Sequence, residues 1–306
     1  MSDYIICTQN IQNKSFGNKP GKTTYLKVPE SANVFLPIHK VALSEFFGDI
    51  INQAQEDIII FIHGYNAEDV SVLDRHRTLR KGFEKAGFTG DLITFAWPSN
   101  DNPLLYLEDR HDAKITAIEL VESCIKLLAK QQGKNCTINV HLVAHSTGAY
   151  VIHEAFADAN TTKQTAEINW TVSQLLFISG DVSSDSMSTD RADCIYLHCN
   201  RLTNYFNPYD SALALSNVKR VGAKNRVGRI GLPQDSPNKA VDVDCGNYYY
   251  QNNGKIDVKR GNHSHSWYFY SDVWYKDALD TIKGELDRTV IPTRTLDMNG
   301  ELSLKA

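Results

Sequence analysis

The stretch Ile138-Asn-Val-His-Leu-Val-Ala-His-Ser-Thr-Gly-Ala-Tyr-Val-Ile152 decides which fold the sequence predicts. Its first half is an apolar run typical of a buried β-strand, and residues 149–157 are compatible with a helix. The two halves are joined by Ala144-His-Ser-Thr-Gly148, in which small residues stand two positions before and two positions after Ser146. Because a strand and a helix pass close together at such a turn, the pattern predicts a strand, a sharp turn and a helix with Ser146 at the apex.

A serine at the apex of such a unit is the arrangement of a nucleophile elbow, where a strained backbone lifts the hydroxyl above the sheet. The usual pattern has glycine at both flanking positions, so Ala144 departs from it by one methyl group. The alternative interpretation is a buried strand followed by a helix whose N-cap happens to be Ser146. The pentapeptide alone does not choose between these interpretations, because short motifs match by chance.

The composition is that of a soluble globular protein with a large core. The chain has 306 residues, of which 42% are hydrophobic and 22% are charged. Its formal net charge of −4 gives no indication of nucleic-acid binding. It contains no run of 18 apolar residues and no basic segment followed by an apolar one at its start, so we expect neither stable membrane insertion nor secretion, and predict a cytoplasmic protein.

Strand and helix patterns alternate along the chain, which predicts one doubly wound α/β domain over residues 1–287. Five consecutive apolar residues within 57–62 indicate a strand buried on both faces, hence a mostly parallel sheet with helices on both faces. Further strands are predicted at residues 4–8, 24–28, 92–97, 175–179, 193–199 and 240–244, the first two forming an antiparallel edge. Helices are predicted at residues 42–55, 68–86, 109–131, 211–217 and 270–287. We expect a polar loop at residues 246–262 and a loosely attached C-terminal tail at residues 288–306.

Three residues in a defined order indicate the chemistry of the predicted site. A serine hydroxyl is a weak nucleophile and needs a base, for which a histidine is suited, and a carboxylate must fix the tautomer of that histidine. Where a nucleophile elbow carries the serine, the order along the chain is serine, acid, histidine. Ser146, Asp210 and His265 have this order, and each follows a predicted strand, where sheets of this class place their sites.

Two alternatives stay open from the residues alone. Asp181 follows the strand predicted at residues 175–179 and is the alternative acid, although the place of Asp210 after the penultimate strand favours Asp210. His263 lies two residues before His265 and is the alternative base, because both side chains point the same way in an extended loop.

Acyl transfer also needs donors for the oxyanion that develops on the substrate. The residue after the nucleophile, Thr147, supplies one backbone N–H, and we expect Tyr65, just beyond His63-Gly64, to supply the other. His63 and His145 stand beside these motifs, and we expect them to be structural. No cluster of histidine, cysteine and aspartate has the spacing of metal ligands, so we expect neither a metal nor a cofactor.

Taken together, the motifs resemble those of bacterial α/β-hydrolases that are known as a domain of unknown function. The resemblance covers about residues 57–280. It is carried by His63-Gly-Tyr-Asn66, Phe95-Ala-Trp-Pro-Ser99, Tyr106-Leu-Glu-Asp-Arg-His-Asp-Ala113, Val140-His-Leu-Val-Ala-His-Ser-Thr-Gly148, Ser179-Gly-Asp-Val182, Asp210-Ser-Ala-Leu-Ala-Leu-Ser216 and His265-Ser-Trp-Tyr-Phe269. It implies an α/β-hydrolase fold and a serine hydrolase, and it matches His265 rather than His263 to the histidine of the family. The family usually has methionine at position 147 and Ala-Pro-Asp at positions 179–181.

We therefore expect an esterase-like serine hydrolase with a small ester or acyl substrate. A catalytically inactive binding or scaffold protein, and an acyltransferase or thioesterase with the same three residues, are the alternatives. Six aromatic residues fall in loops near the predicted site, where they either line a pocket or pack the loops onto the sheet. They are Trp97, Tyr106, Tyr205, Tyr209, Trp267 and Tyr268. The segments 99–108 and 199–208 are candidates for a modest cap, which favours a soluble or short-chain ester.

Overall fold

The computed structural model describes residues 2–53, 57–65, 69–99, 106–131, 138–161, 170–218 and 225–305. Within these residues, eleven strands form one sheet in the order β10-β11-β9-β8-β7-β6-β4-β5-β1-β2-β3. The strands are β1 Ser2–Gln12, β2 Ser15–Pro29, β3 Lys40–Val41, β4 Ile58–Ile62, β5 Asp91–Ala96, β6 Val140–His145, β7 Val172–Ile178, β8 Cys199–Phe206, β9 Ala240–Asp244, β10 Arg294–Leu296 and β11 Leu302–Leu304. The run from β11 to β1 is parallel, and antiparallel pairs stand at both edges. The predicted mostly parallel sheet with an antiparallel edge at the N-terminus is confirmed.

The helices lie on both faces of this sheet. They are α1 Leu43–Gln53, α2 Asp69–Ala86, α3 Tyr106–Leu120, α4 Lys126–Gln131, α5 Thr147–Thr161, α6 Asp193–Leu197, α7 Ser211–Val218, α8 Val227–Ile230, α9 Gly246–Asn252, α10 His263–Ser266 and α11 Asp272–Lys283. The single helix predicted at residues 109–131 is interrupted by a π-helical turn, Val121–Ile125, between α3 and α4.

Strand β4 shows why the sheet is covered on both sides. Its residues are all buried, and their side chains alternate between two cores. Ile58, Ile60 and Ile62 pack with α3 and α5, whereas Ile59 and Phe61 pack with α2 and α11. A strand that is apolar at every position can be buried only between two layers of helices, as the sequence predicted.

Two other segments also differ from the sequence-based prediction. The pattern of residues 193–199 predicts a strand, but Asp193–Leu197 is a short helix and the strand follows at Cys199–Phe206. A short apolar run does not distinguish a strand from a buried helical turn, and here three of its residues, Cys194, Ile195 and Tyr196, are buried in the helix. The expected loop at residues 246–262 begins with the helix Gly246–Asn252.

The C-terminal segment is not a loosely attached tail. Strand β11 pairs parallel with β9, with Leu302 opposite Val243, and β10 pairs antiparallel with β11. Arg294 in β10 is buried and forms an ion pair with the fully buried Asp277 of α11, with 2.6 Å between Nη2 and Oδ1. Three-residue strands give too short a pattern to be recognised in the sequence, and the ion pair joins residues that have no local relation.

Candidate active site

Ser146 lies in the turn between β6 and α5 with a φ of +55°, a conformation that non-glycine residues seldom adopt. Hydrogen bonds from neighbouring strand ends hold it there. Its N–H donates to the carbonyl of Ile178 at 3.0 Å, and its carbonyl accepts from the N–H of Asp181 at 2.9 Å. The end of β7 therefore holds the serine in the strained turn that the sequence predicted.

Two glycines allow the chain to close around this turn. A Cβ on Gly148 would lie 2.3 Å from the carbonyl oxygen of Ile62, and one on Gly64 would lie 2.7 Å from the Cβ of Ser146. Neither distance is possible between real atoms, so α5 and the end of β4 approach the serine as closely as they do only because both residues lack a side chain.

Asp210 and His265 meet at the carboxyl ends of the strands. Asp210 follows β8 and is fully buried, and its Oδ2 accepts a hydrogen bond of 2.7 Å from Nδ1 of His265. Its Oδ1 accepts from the N–H of Leu213 at 3.0 Å, which fixes the second oxygen. A carboxylate that binds Nδ1–H leaves Nε2 as the ring nitrogen that can accept a proton.

The loops that carry this pair are tied to each other by residues whose role sequence reasoning missed. The side-chain amide of Asn207 donates to the carbonyl of Ser264 at 2.9 Å, and the N–H of Ser211 donates to the Ser264 hydroxyl at 3.0 Å. Because Ser264 is 57 positions from Asn207 along the chain, no local signal in the sequence indicates this contact.

The two alternative residues have other partners. Asp181 forms an ion pair with the buried Arg226, with 3.0 Å between Oδ1 and Nε. His263 lies with His265 in the short helix α10 rather than in an extended loop, and its Nδ1 and Nε2 contact the Tyr249 hydroxyl and the Ile256 carbonyl at 3.0 and 3.1 Å. Of the two acids and two bases considered from the sequence, the structure joins Asp210 to His265.

Two further histidines near the turn are buried, and burial holds both in the neutral form. Nδ1 of His63 donates to the carbonyl of Gly64 at 2.8 Å while Nε2 accepts from the N–H of Trp97 at 3.2 Å, and burial lowers the pKa of His63 to about 4. Nε2 of His145 donates to the carbonyl of His265 at 3.0 Å. Burial, with His265 and Arg75 nearby, lowers the pKa of His145 well below its usual range.

A cavity of about 360 Å³ opens beside Ser146 and is also lined by His265, Tyr65 and Thr147. Thr147 is the first residue of α5, where backbone N–H groups have no partner within the helix and the helix dipole favours negative charge. Its hydroxyl is buried without a hydrogen-bond partner in the described part of the chain. The residues expected to provide oxyanion donors thus lie at the same cavity as the serine.

The aromatic residues that the sequence placed near the site do not line this cavity, as far as they are described. Trp97, Tyr205, Trp267 and Tyr268 are fully buried in the core, and Tyr209 is half-exposed and stacked on Tyr250. The side chain of Tyr106 and most of the candidate cap at 99–108 lie outside the described residues. Packing, the second of the two interpretations, accounts for the buried members of this set, although Tyr205 packs from strand β8 and not from a loop.

The described ranges contain no candidate for a membrane span or for a metal site. No helix there is both long and apolar enough to cross a bilayer. Within the same residues, no group of three or more histidine, cysteine, aspartate or glutamate side chains is arranged to hold a metal ion.

Comparison with known proteins gave one family match. The profile of a family described as "Alpha/beta hydrolase of unknown function (DUF900)" matches residues 39–250, which include Ser146, Asp181 and Asp210 but not His265. No curated protein matches the sequence.

Several solved structures are remotely similar in fold. A cutinase-like protein from Cryptococcus sp. is 13% identical over 76% of this chain and 97% of that chain, with a TM-score of 0.35. Aspergillus fumigatus lipase B is 12% identical over 94% and 67%, with a TM-score of 0.43. Phospholipase PlaB from Legionella pneumophila is 12% identical over 82% and 68%, with a TM-score of 0.34. Because the sequence identities and TM-scores are this low, these three proteins give no evidence on the activity or substrate of this chain.

Proposed function

The chain belongs to the alpha/beta-hydrolase family DUF900, and from that premise we propose that it is a serine hydrolase that cleaves a carboxylic ester or related acyl bond. The family and the mostly parallel sheet confirm the predicted fold. The family carries no substrate, so the argument for the reaction rests on the site itself.

One observation carries the proposal. A buried Asp210 carboxylate fixes His265 at 2.7 Å, and that histidine lines the same cavity as a serine held in a strained turn. Backbone strain at a non-glycine residue persists only where the surrounding structure enforces it, and it is common at catalytic nucleophiles. We propose Ser146 as the nucleophile, His265 as the base and Asp210 as the acid.

In the proposed mechanism, Nε2 of His265 takes the proton of the Ser146 hydroxyl as its oxygen attacks the carbonyl carbon of the substrate. Proton transfer requires this hydroxyl and Nε2 to come within hydrogen-bonding distance in the substrate complex. Asp210 keeps the proton on Nδ1 and stabilises the imidazolium that forms. His265 then donates the proton to the leaving alcohol, and the acyl group remains on Ser146.

The backbone N–H groups of Tyr65 and Thr147 are proposed to bind the oxyanion of each tetrahedral intermediate. The N-terminus of α5 adds its dipole at the same place, which stabilises negative charge there. Water, activated by His265, attacks the acyl-enzyme in the second half of the reaction and releases the acid.

The proposal is tested by comparing Ser146→Ala with Ser179→Ala on p-nitrophenyl acetate. Ser179 is a matched control because it is also a buried serine, stands at the end of the neighbouring strand and has a φ of +47°. We expect Ser146→Ala to lower kcat by at least roughly a thousandfold, as removal of a triad nucleophile does, and Ser179→Ala to lower it far less.

The alternatives are distinguished by the same experiment. No hydrolysis by a folded wild-type protein would favour a binding or scaffold function. Faster release of p-nitrophenol when an alcohol is added, with formation of a new ester, would identify an acyltransferase, and a thioester substrate tests for a thioesterase.

A further inference from the structure

Arg75 of α2 lines the cavity and has no acidic partner among the described residues. Its guanidinium lies 3.9 Å above the ring of Phe269. Its Nη2 donates a long hydrogen bond of 3.4 Å to the carbonyl of Arg260, and its Nη1 is buried without a partner among the described residues. None of the ion pairs formed by described residues includes Arg75. Arg75 therefore brings a positive charge to the cavity, and no carboxylate among the described residues forms an ion pair with it.

The other charged groups on the described part of the cavity wall are balanced in pairs. Arg260 forms an ion pair with Asp74 at 2.7 Å, and Asp181 forms one with Arg226 at 3.0 Å. The Asp210 carboxylate lies behind His265 and is bound to it. The neutral His63 and His145 add no charge. Along the described wall, Arg75 is the source of net positive potential.

Keeping a cation in such a place is unfavourable unless something binds it. Burial lowers the pKa of Arg75, the direction expected for a cation removed from water, although an arginine remains charged at neutral pH. The face of Phe269 offsets part of the desolvation, since the electrons of an aromatic ring attract a cation that lies above it. An anion in the cavity would supply the missing counter-charge and form charge-assisted hydrogen bonds with the guanidinium.

The part of the cavity wall formed by α7 is apolar. Ala212, Leu213 and Leu215 line the cavity there, and Leu215 is 62% exposed. The cavity therefore presents a cationic surface on the side of α2 and an apolar surface on the side of α7, and Ser146 and His265 line it as well.

We propose that the substrate is an ester with an anionic group, a carboxylate or a phosphate, and that Arg75 determines this specificity. The inference rests on the proposed function, because it assigns the substrate class of the same site. The anionic group lies along α2 and an apolar group lies along α7, so a neutral ester of the same size is a poorer substrate.

Two matched substrate pairs test the proposal. The first pair tests a charge on the acyl group, and the second tests a charge on the leaving group. Mono-4-nitrophenyl glutarate is compared with 4-nitrophenyl valerate, and 4-acetoxybenzoate with its methyl ester. For at least one pair we expect the wild-type protein to have the higher kcat/KM on the anionic member. Arg75→Gln should lower that value by roughly 10- to 100-fold, the effect of losing a charge-assisted hydrogen bond, and change the neutral member less than about threefold.

Two further variants separate charge recognition from folding. Arg75→Lys keeps the charge and should retain part of the preference, and thermal unfolding shows whether either substitution disturbs the fold. Lys85→Gln removes an exposed positive charge from the same helix α2 and should leave the preference unchanged. No preference in the wild-type protein, or equal losses on charged and neutral esters in Arg75→Gln, would overturn the proposal.

A binding measurement keeps this inference separate from the proposed reaction. Calorimetry on Ser146→Ala, which needs no turnover, should detect glutarate or inorganic phosphate, and the preferred anion distinguishes a carboxylate from a phosphate ester. This binding should be lost in Ser146→Ala/Arg75→Gln. If anions bind through Arg75 but no ester is hydrolysed, the proposed function fails and the anion site stands. If esters are hydrolysed and neither anion binds, the proposed function stands and the anion site fails.

Discussion

At the scale of single residues, the sequence indicated which side chains the structure places at one cavity, but it did not indicate the residues that surround them. Ser146, Asp210 and His265 were identified because each chemical role admits few residue types and because their order along the chain is restricted. Arg75 gave no such signal. It is one of several cations on an amphipathic helix, and its contact with Phe269 joins positions nearly two hundred residues apart, which no local pattern reveals.

The assignment of the acid is tested by Asp210→Asn and Asp181→Asn. An amide at position 210 no longer fixes the tautomer of His265, so turnover of a p-nitrophenyl ester should fall by roughly three to four orders of magnitude. Asp181 is paired with Arg226, and its substitution should cost much less. Circular dichroism is the control for folding. A near-normal Asp210→Asn beside a crippled Asp181→Asn would move the acid to Asp181.

The buried His63 predicts how stability depends on pH. Its pKa is about 4 in the folded protein, against about 6.5 in an unfolded chain. Between these values the unfolded chain binds a proton that the folded chain does not, so the free energy of unfolding falls as the pH is lowered from 6.5 towards 4. Lowering the pH from 7.5 to 5 should therefore reduce the free energy of unfolding by about 2 kcal/mol through His63.

Urea unfolding of the wild-type protein and His63→Gln at both pH values measures this contribution. The variant should lose about 2 kcal/mol less than the wild type between pH 7.5 and pH 5, while the other buried histidines affect both proteins alike. Equal losses in the two proteins would show that His63 does not titrate in this way.

At the scale of secondary-structure elements, the strands with strong patterns were predicted and the short or mixed segments were not. The apolar run of β4 and the strand–turn–helix around Ser146 admit few interpretations, because burial on both faces dictates their composition. Residues 194–197 are apolar as well, but one helical turn, Asp193–Leu197, is enough to bury the first three of them against the core. Periodicity cannot separate the two structures over five residues.

Gly148 tests how tightly β4 and α5 are packed. A methyl group there would collide with the carbonyl oxygen of Ile62, so Gly148→Ala should lower the free energy of unfolding by about 1–3 kcal/mol. It should also slow the proposed hydrolysis of a p-nitrophenyl ester, because it displaces Ser146. Gly254→Ala is the matched control, because a Cβ at position 254 meets no atom within 4 Å. An unchanged free energy of unfolding in Gly148→Ala would show that the turn between β6 and α5 has room for a methyl group.

At the scale of the whole molecule, the sheet extends beyond what the sequence indicated. We propose that β10 and β11 belong to the same domain as the site. Asp277 accepts hydrogen bonds from Tyr205 and Thr293 in addition to its ion pair with Arg294. This buried cluster joins α11, β8 and β10, so the C-terminal segment closes one edge of the core.

Arg294→Met should therefore lower the free energy of unfolding of the whole domain. The substitution leaves the Asp277 carboxylate buried without its counter-ion, which typically costs about 3–5 kcal/mol. Met298→Ala, at a fully exposed position of the same segment, should change stability little. Both are measured by urea unfolding, and a loss below about 1 kcal/mol in Arg294→Met would show that the segment contributes little to the fold.

Whether Ser146 reacts as a nucleophile tests the proposed serine-hydrolase function most directly. A fluorophosphonate forms a covalent bond with a serine that is activated by its neighbours and not with an ordinary hydroxyl. We predict that the native protein is labelled once, that peptide mass spectrometry places the label on Ser146, and that heat-unfolded protein and His265→Ala are not labelled. Labelling of another residue, equal labelling of native and unfolded chains, or no labelling of the folded protein would contradict the central claim.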